Sequence, residues 1–188
     1  MACYCQQCGH PTSRREDSGR ERDVCLACGW VQYAEIGVGV GALILRGERA
    51  LLVERGIPPV GRWTLPGGWI EQEDTLATAI MREVQEETGL LCNPVGVICL
   101  RNIPRPARND LYVCLLCTVD PLAEPVADGT ETRQARFVAP EEFDRIDLSP
   151  FSRYVIEHYL QKHPRPWPLL EDRRLLETYP GAAIFAPF

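Results

Sequence analysis

The chain has 188 residues, 45% of them apolar and 24% charged. That is ordinary globular composition, with room for one domain and a small appendage, and it excludes a fibrous or disordered chain. Net charge is −6, the wrong sign for a general nucleic-acid or anionic-membrane binder, so no nucleic acid and no membrane partner is expected.

The N-terminus, Met1-Ala-Cys-Tyr-Cys-Gln-Gln-Cys8, carries neither the basic nor the apolar segment of an export signal, so a cytoplasmic location is expected. The longest apolar stretch, Ile36 to Leu45, has ten residues, against about 20 for a spanning helix. Nine cysteines in a reducing setting speak for metal binding over disulfides. Cys5-Gln-Gln-Cys8-Gly9 and Cys25-Leu-Ala-Cys28-Gly29 are separated by 16 residues, within the range of four-cysteine zinc sites. Each Cys-x-x-Cys-Gly unit can turn two thiolates toward one ion, with glycine supplying the positive φ. Four protein sulfurs leave zinc no open position, so the site is read as structural. Residues 1–34 are too few to bury much core, and the metal would supply the missing folding energy. They are expected to form a zinc ribbon holding one Zn2+ through Cys5, Cys8, Cys25 and Cys28, with Cys3 and His10 as alternative ligands. Arg14, Arg15, Arg20 and Arg22 are balanced by Glu16, Asp17, Glu21 and Asp23, which disfavours a nucleic-acid finger.

Ile36 to Leu45 and Ala50 to Arg55 read as two strands joined by a turn at Gly47. Trp63 to Leu65, Val95 to Leu100, Leu111 to Val119 and Arg136 to Val138 read as further strands. Cys114 and Cys117 fall on one of these strands at a spacing that points them to opposite faces, so they are read as core, like Cys92 and Cys99. Helices are expected at Thr75–Thr88, at Pro140–Asp144, and from Ser149 with Pro150 in the first position.

The Thr75–Thr88 segment concentrates the charge. Six acids lie between Glu71 and Glu87 against one base, Arg82. Leu76, Ile80 and Val84 form the apolar stripe of a helix, capped by Asp74 or Thr75 and stopped by Gly89. Glu83, Glu86 and Glu87 then converge at i, i+3 and i+4, where like charges cost roughly 0.2–0.5 kcal/mol per pair. A magnesium ion, which prefers carboxylate and carbonyl oxygens, reverses that cost. Pro66-Gly67-Gly68 just upstream lets backbone approach a metal or phosphate closely.

At this point the sequence resembles the Nudix hydrolases, whose box is written G-x5-E-x7-R-E-U-x-E-E-x-G-U with U bulky and apolar. Gly68, Arg82, Glu83, Val84, Glu86, Glu87, Gly89 and Leu90 match it at the correct spacing. Asp74 stands where the box has Glu. Pro66-Gly67 and Glu71 also resemble the common Pro-Gly-Gly-x-x-Glu. The resemblance implies an α/β fold, an α/β/α sandwich around a mixed sheet over residues 35–161. The preceding ribbon recurs in some Nudix subfamilies, and residues 162–188 form a tail.

The resemblance further implies hydrolysis of nucleoside diphosphates linked to another group, with Mg2+ (or Mn2+). Glu83, Glu86 and Glu87, the carbonyl of Gly67 and a late acid, Glu131, would hold the metal. One glutamate would be general base and Arg82 would orient the carboxylates. If Asp74 only caps the helix or braces Arg82, the shorter side chain can serve; if its carboxylate must reach a metal, activity falls. Trp69, Tyr112 and Phe137 are candidate stacking partners for a base. Arg101 and Arg105, in a segment read as an inter-strand loop, are candidate phosphate or ribose contacts. The Ser-Gln-Pro-Trp-Pro-Phe-Pro stretch of NADH pyrophosphatases is absent, and Pro104 and Pro106 lie near the place, about 15 residues beyond the box, where ADP-ribose-type members often carry Pro. The expected partner is therefore a small nucleotide substrate such as ADP-ribose or FAD. The alternative is a Nudix-like module that senses a nucleotide without cleaving it. The apolar tail is expected to pack on its own domain or on a second copy in a homodimer.

Overall fold

A computed structural model describes residues 3–33, 36–104, 109–170 and 184–185. It divides into two compact units, Met1–Ile36 with Pro104–Asn109, and Gly37–Ile103 with Asp110–Phe188.

The first unit is built on a hairpin of β1 (Thr12–Asp17) and β2 (Arg20–Cys25), antiparallel from Thr12↔Cys25 to Asp17↔Arg20. Ser18 and Gly19 link them with φ of 52° and 77°, the two left-handed positions that suit a two-residue hairpin turn. Two knuckles of matching geometry flank the hairpin. The Gly9 N–H donates to Cys5 O and the Gly29 N–H to Cys25 O, each at 2.9 Å. The Cys5 and Cys25 N–H groups donate to the carbonyls of His10 and Trp30, both at 2.8 Å.

The remaining elements are β3 (Ile36–Arg46), β4 (Arg49–Arg55), β5 (Trp63–Thr64), α1 (Leu76–Thr88), β6 (Cys92–Pro104), β7 (Asn109–Val119), β8 (Thr132–Val138), a 3-10 helix (Pro140–Arg145), α2 (Pro150–Lys162), β9 (Trp167–Leu170) and β10 (Ile184–Phe185). The sheet order is β10-β9-β6-β7-β3-β4-β5, with β8 on β4. The β3–β4, β4–β5, β4–β8, β6–β9 and β9–β10 pairs are antiparallel, and a parallel bridge joins Trp63 to Leu148.

Period-two alternation sorts the core onto the two faces of this sheet. Val40, Ala42, Ile44, Leu51, Leu115 and Cys117 pack with Ile80 and Val84 of α1. Leu43, Leu52, Cys114, Trp63, Phe143, Val155 and Ile156 pack on the side of α2. Cys114 and Cys117 thus occupy opposite layers, as their spacing predicts. Ile80 is fully buried, so truncating it to Ala would cost about 2–5 kcal/mol. Helix α1 begins one residue later than the periodicity predicts because Thr75 is its cap: the Thr78 N–H donates to Thr75 Oγ1 at 3.1 Å. Gly89 ends the helix at φ 69°. Helix α2 starts at Pro150, but Ser149 makes no side-chain cap bond. Strand β6 runs on to Pro104, so Arg101 lies in a strand and not in a loop. Asn102 Nδ2 donates to Asp110 O at 3.1 Å, which ties this extension to β7. Among the described residues no helix is long and apolar enough to cross a membrane.

One irregularity positions the site. β3 and β4 pair only near their shared turn, at Leu45↔Ala50 and Arg46↔Arg49. Beyond it the two strands part, and Pro66–Ile70 runs along β3 instead. Val40 N–H donates to Gly68 O at 2.8 Å, Ala42 N–H to Pro66 O at 2.9 Å, and Ile70 N–H to Val38 O at 2.9 Å.

Candidate active site

The Pro66–Ile70 segment and α1 bring the acidic residues together. Glu83, Glu86 and Glu87 line one cleft of about 330 Å3 with Gly67, Gly68 and, from the loop before β8, Glu131. Gly67 adopts φ 149°, and a Cβ there would fall 2.1 Å from Val40 O. A Cβ on Gly68 would fall 2.4 Å from a Glu83 carboxylate oxygen. Both positions therefore require glycine, one for the strand contact and one to admit Glu83. The carbonyls of Pro66 and Gly68 are taken up by β3, whereas that of Gly67 between them accepts no hydrogen bond among the described residues. The Gly67 N–H donates to Glu87 Oε2 at 2.7 Å.

Arg82 organises the remaining acids. Its Nη1 donates to Glu83 Oε1 at 2.8 Å and Glu86 Oε2 at 3.2 Å, and its Nη2 to Asp74 Oδ2 at 2.8 Å and Trp69 O at 3.1 Å. Asp74 therefore braces Arg82 and is not among the residues lining the cleft. The Arg82 hydrogen bond holds the Asp74 carboxyl below the usual carboxylate range. Burial pushes the Glu83 carboxyl up, against the pull of Arg82. Burial also pushes Glu87 up to about 8, against the Gly67 N–H and assisted by the charge of Glu83. Two half-buried carboxylates with raised pKa, a third and fourth beside them, and an unengaged carbonyl form a hard-oxygen donor set. It fits a divalent cation, because buried like charges are stable only with a counter-charge.

Trp69 lines the cleft and is half-exposed. Tyr112 and Phe137 do not line it: Tyr112 packs edge-on against Phe151 with centroids 5.6 Å apart, and Phe137 lies 4.0 Å beneath Arg46. Arg101 is stacked 4.4 Å from Phe151 and 4.9 Å from Tyr112, and is likewise absent from the cleft lining. Arg105 lies outside the described residues. The cleft also holds Arg55 and Ile57, which sequence pattern did not single out. Arg55 is the last residue of β4, and nothing in its spacing distinguishes it from a strand-end arginine.

In the first unit the sulfurs of Cys5, Cys8, Cys25 and Cys28 all lie within 4.8 Å of one another. Cys5 and Cys28 are 3.6 Å apart and Cys8 and Cys25 3.4 Å. A tetrahedral zinc with bonds of about 2.3 Å spaces its sulfurs by about 3.8 Å, so the donor set fits that ion. Burial opposes ionising Cys25, but the N–H groups of Cys28 and Ala27 and the neighbouring thiols outweigh it and bring it down to about 6. Cys3 and His10 are not part of the cluster.

Residues 35–159 match the family described as NUDIX domain, and residues 3–34 match the zinc-ribbon family described as Nudix N-terminal. The NAD-capped RNA hydrolase NudC of Stutzerimonas stutzeri is 28% identical over 172 residues, covering 89% of this chain and 59% of that protein. The ADP-ribose pyrophosphatase of Methanocaldococcus jannaschii is 26% identical over 127 residues, covering 67% of this chain and 70% of that protein. A NUDIX hydrolase crystal structure from Nitrosomonas europaea superposes with TM-score 0.74 at 24% identity, covering 87% of this chain and 94% of that one, a likeness of fold. The chain thus spans 59% of the NudC relative's length. With the box residues gathered on one cleft and the family match running over 35–159, the chain belongs to the Nudix family.

Proposed function

We propose that this chain hydrolyses the pyrophosphate bond of a nucleoside diphosphate linked to another group, with Mg2+ or Mn2+. The observation that carries the reading is the convergence of Glu83, Glu86, Glu87 and Glu131 on the Gly67–Gly68 turn. In this reading the four carboxylates and the Gly67 carbonyl hold the metal, which when bound offsets phosphate charge and acidifies water. The chain supplies the rest. Arg82, braced by Asp74, fixes Glu83 and Glu86, and the Gly67 N–H fixes one oxygen of Glu87. One of the four glutamates accepts the proton of the attacking water. Trp69, half-exposed on the cleft, offers a stacking face to a base. The four-cysteine cluster holds one structural Zn2+ in a ribbon of residues 1–34, ahead of a catalytic domain of residues 35–161 and a tail of 162–188.

ADP-ribose or FAD is the preferred substrate class. Pro104 lies 15 residues past Gly89, and one relative is named for ADP-ribose. The relative named for NAD-capped RNA places capped RNA in the test panel. The net charge of −6 favours small molecules over it. A cytoplasmic setting, and a tail that packs on its own domain or on a second copy in a homodimer, complete the proposal; most of the tail lies outside the described residues. The test offers ADP-ribose, FAD, NADH, nucleoside triphosphates and NAD-capped RNA with magnesium and identifies the products. A dinucleotide or nucleotide sugar is expected to turn over best. Glu86→Gln and Glu87→Gln should each lower turnover by orders of magnitude with the fold intact. Near-normal rates in both would remove the metal assignment, and tight binding of one nucleotide without any turnover would make the chain a sensor.

A further inference from the structure

We propose that Arg55 is the phosphate-binding cation of the cleft, its guanidinium donating to a non-bridging oxygen of the substrate's diphosphate. The inference rests on the hydrolase reading for its substrate class, but on different residues for its observations.

Two cations line the cleft among the described residues, and they are differently engaged. Arg82 is saturated: its Nε, Nη1 and Nη2 make five contacts, to Asp74 (two), Trp69 O, Glu83 and Glu86. It has no donor to spare for a ligand. Arg55 has one acceptor among the described residues, the Pro58 carbonyl, reached from Nη2 at 2.8 Å. Its Nε is buried without a partner. A buried N–H left without an acceptor costs about 1–3 kcal/mol; Arg46 and Arg101 share such an Nε, and among these three Arg55 is the one that lines the cleft.

The backbone around Arg55 is fixed in a way that aims the side chain. Strand alternation from Leu51, which packs on the α1 side, gives Val53 and Arg55 the same face. The β4–β8 register shifts here, from Glu54↔Gln134 to Arg55↔Thr132; the extra residue, Arg133, belongs to β8, so β4 keeps its alternation through Arg55 and β8 bends beside Glu131. Arg55 N–H donates to Arg62 O at 2.9 Å, Gly61 N–H donates to Arg55 O at 2.8 Å, and Gly56 N–H donates to Glu131 O at 2.6 Å. Arg55 and Glu131 are thus held as neighbours across the β4–β8 pair. Arg55 lines the same cleft as Glu83, Glu86, Glu87 and Glu131, and its positive charge favours the ionised form of Glu87. A planar guanidinium offers paired donors to a phosphate, whereas an ammonium offers only a point charge.

The test measures binding of inorganic pyrophosphate in magnesium by calorimetry, together with ADP-ribose kinetics, on the full chain and on Arg55→Gln and Arg55→Lys. Arg55→Gln should weaken pyrophosphate binding and lower kcat/KM at least tenfold. Arg55→Lys should retain part of both, and melting temperatures should stay within about 2 °C. Unchanged pyrophosphate affinity in Arg55→Gln overturns the proposal. So does a pattern in which both variants lose thermal stability alike with affinity intact, since Arg55 would then only brace the Pro58 carbonyl. If the wild-type chain cleaves no nucleotide, the hydrolase reading falls, yet an Arg55-dependent pyrophosphate affinity still upholds the contact. If the wild-type chain binds no pyrophosphate, the contact falls whatever the activity.

Discussion

Glu87 should destabilise the metal-free fold, and the size of the effect follows from its surroundings. Burial raises its carboxyl from an ordinary 4.5 to about 8, with the Gly67 N–H opposing and Glu83 adding to it. A carboxylate whose folded pKa lies above its unfolded pKa favours the fold while protonated. That contribution is complete below pH 4.5 and is lost as pH rises toward and through 8. Integrating between those limits at 1.36 kcal/mol per tenfold gives a loss of about 4 kcal/mol between pH 5 and pH 8.5. Glu87→Gln removes the titration while keeping an acceptor for the Gly67 N–H. The variant should therefore melt near wild type at pH 5 and about 10 °C higher at pH 8.5. The assay is thermal unfolding in magnesium-free buffer without chelator, so that a zinc ion on the cysteines is left in place. Adding magnesium at pH 8.5 should raise the wild-type midpoint and leave the variant almost unmoved. A variant that melts no higher than wild type at pH 8.5, or a gap that fails to close toward pH 5, would refute the burial argument.

Other substitutions separate chemistry from folding. Gly68→Ala puts a methyl 2.4 Å from the Glu83 carboxylate, so steady-state assay should show activity down at least tenfold with little change in melting temperature. Gly67→Ala meets the Val40 carbonyl at 2.1 Å, and unfolding curves should show a loss of several kcal/mol. Asp74→Ala should lower turnover about tenfold by freeing Arg82, whereas Asp74→Glu should stay within a few-fold of wild type in the same assay. Cys25→Ser should reduce zinc, measured by elemental analysis, from about one ion per chain to a small fraction of that.

What was legible in the sequence was whatever local spacing encodes. The Cys-x-x-Cys-Gly repeats predict two knuckles, and Gly9 and Gly29 both adopt positive φ at those turns. Leu76, Ile80 and Val84 predict the buried stripe of α1, which leaves the glutamates three and four residues apart on another face. Asp74 could not be assigned between capping and bracing from spacing alone. Capping falls to Thr75, and Asp74 reaches Arg82 across two helical turns. Arg101 illustrates the opposite outcome. A cluster of Arg and Pro reads as a loop, yet β6 takes in its first residues, Arg101 to Pro104, with β7 alongside, and the Arg101 guanidinium stacks on two rings.

Arg55 escaped pattern reading for a physical reason that bears on how the cleft works. A cation's availability is set by how many acceptors its neighbours offer, and those acceptors come from distant parts of the chain. Arg82 has the family's box around it, and its neighbours Asp74, Glu83 and Glu86 consume its donors, so the conspicuous arginine is structural support for the acids. Arg55 gains its place only when β3 and β4 part to admit the Gly67–Gly68 turn and the β4–β8 register slips beside Glu131. The same parting of strands places Gly67 on the cleft with its N–H on Glu87, so acid cluster, glycine turn and Arg55 share one origin in the sheet. A substitution that restored β3–β4 pairing beyond Leu45 would therefore be expected to dismantle all three at once, whichever glutamate takes the proton.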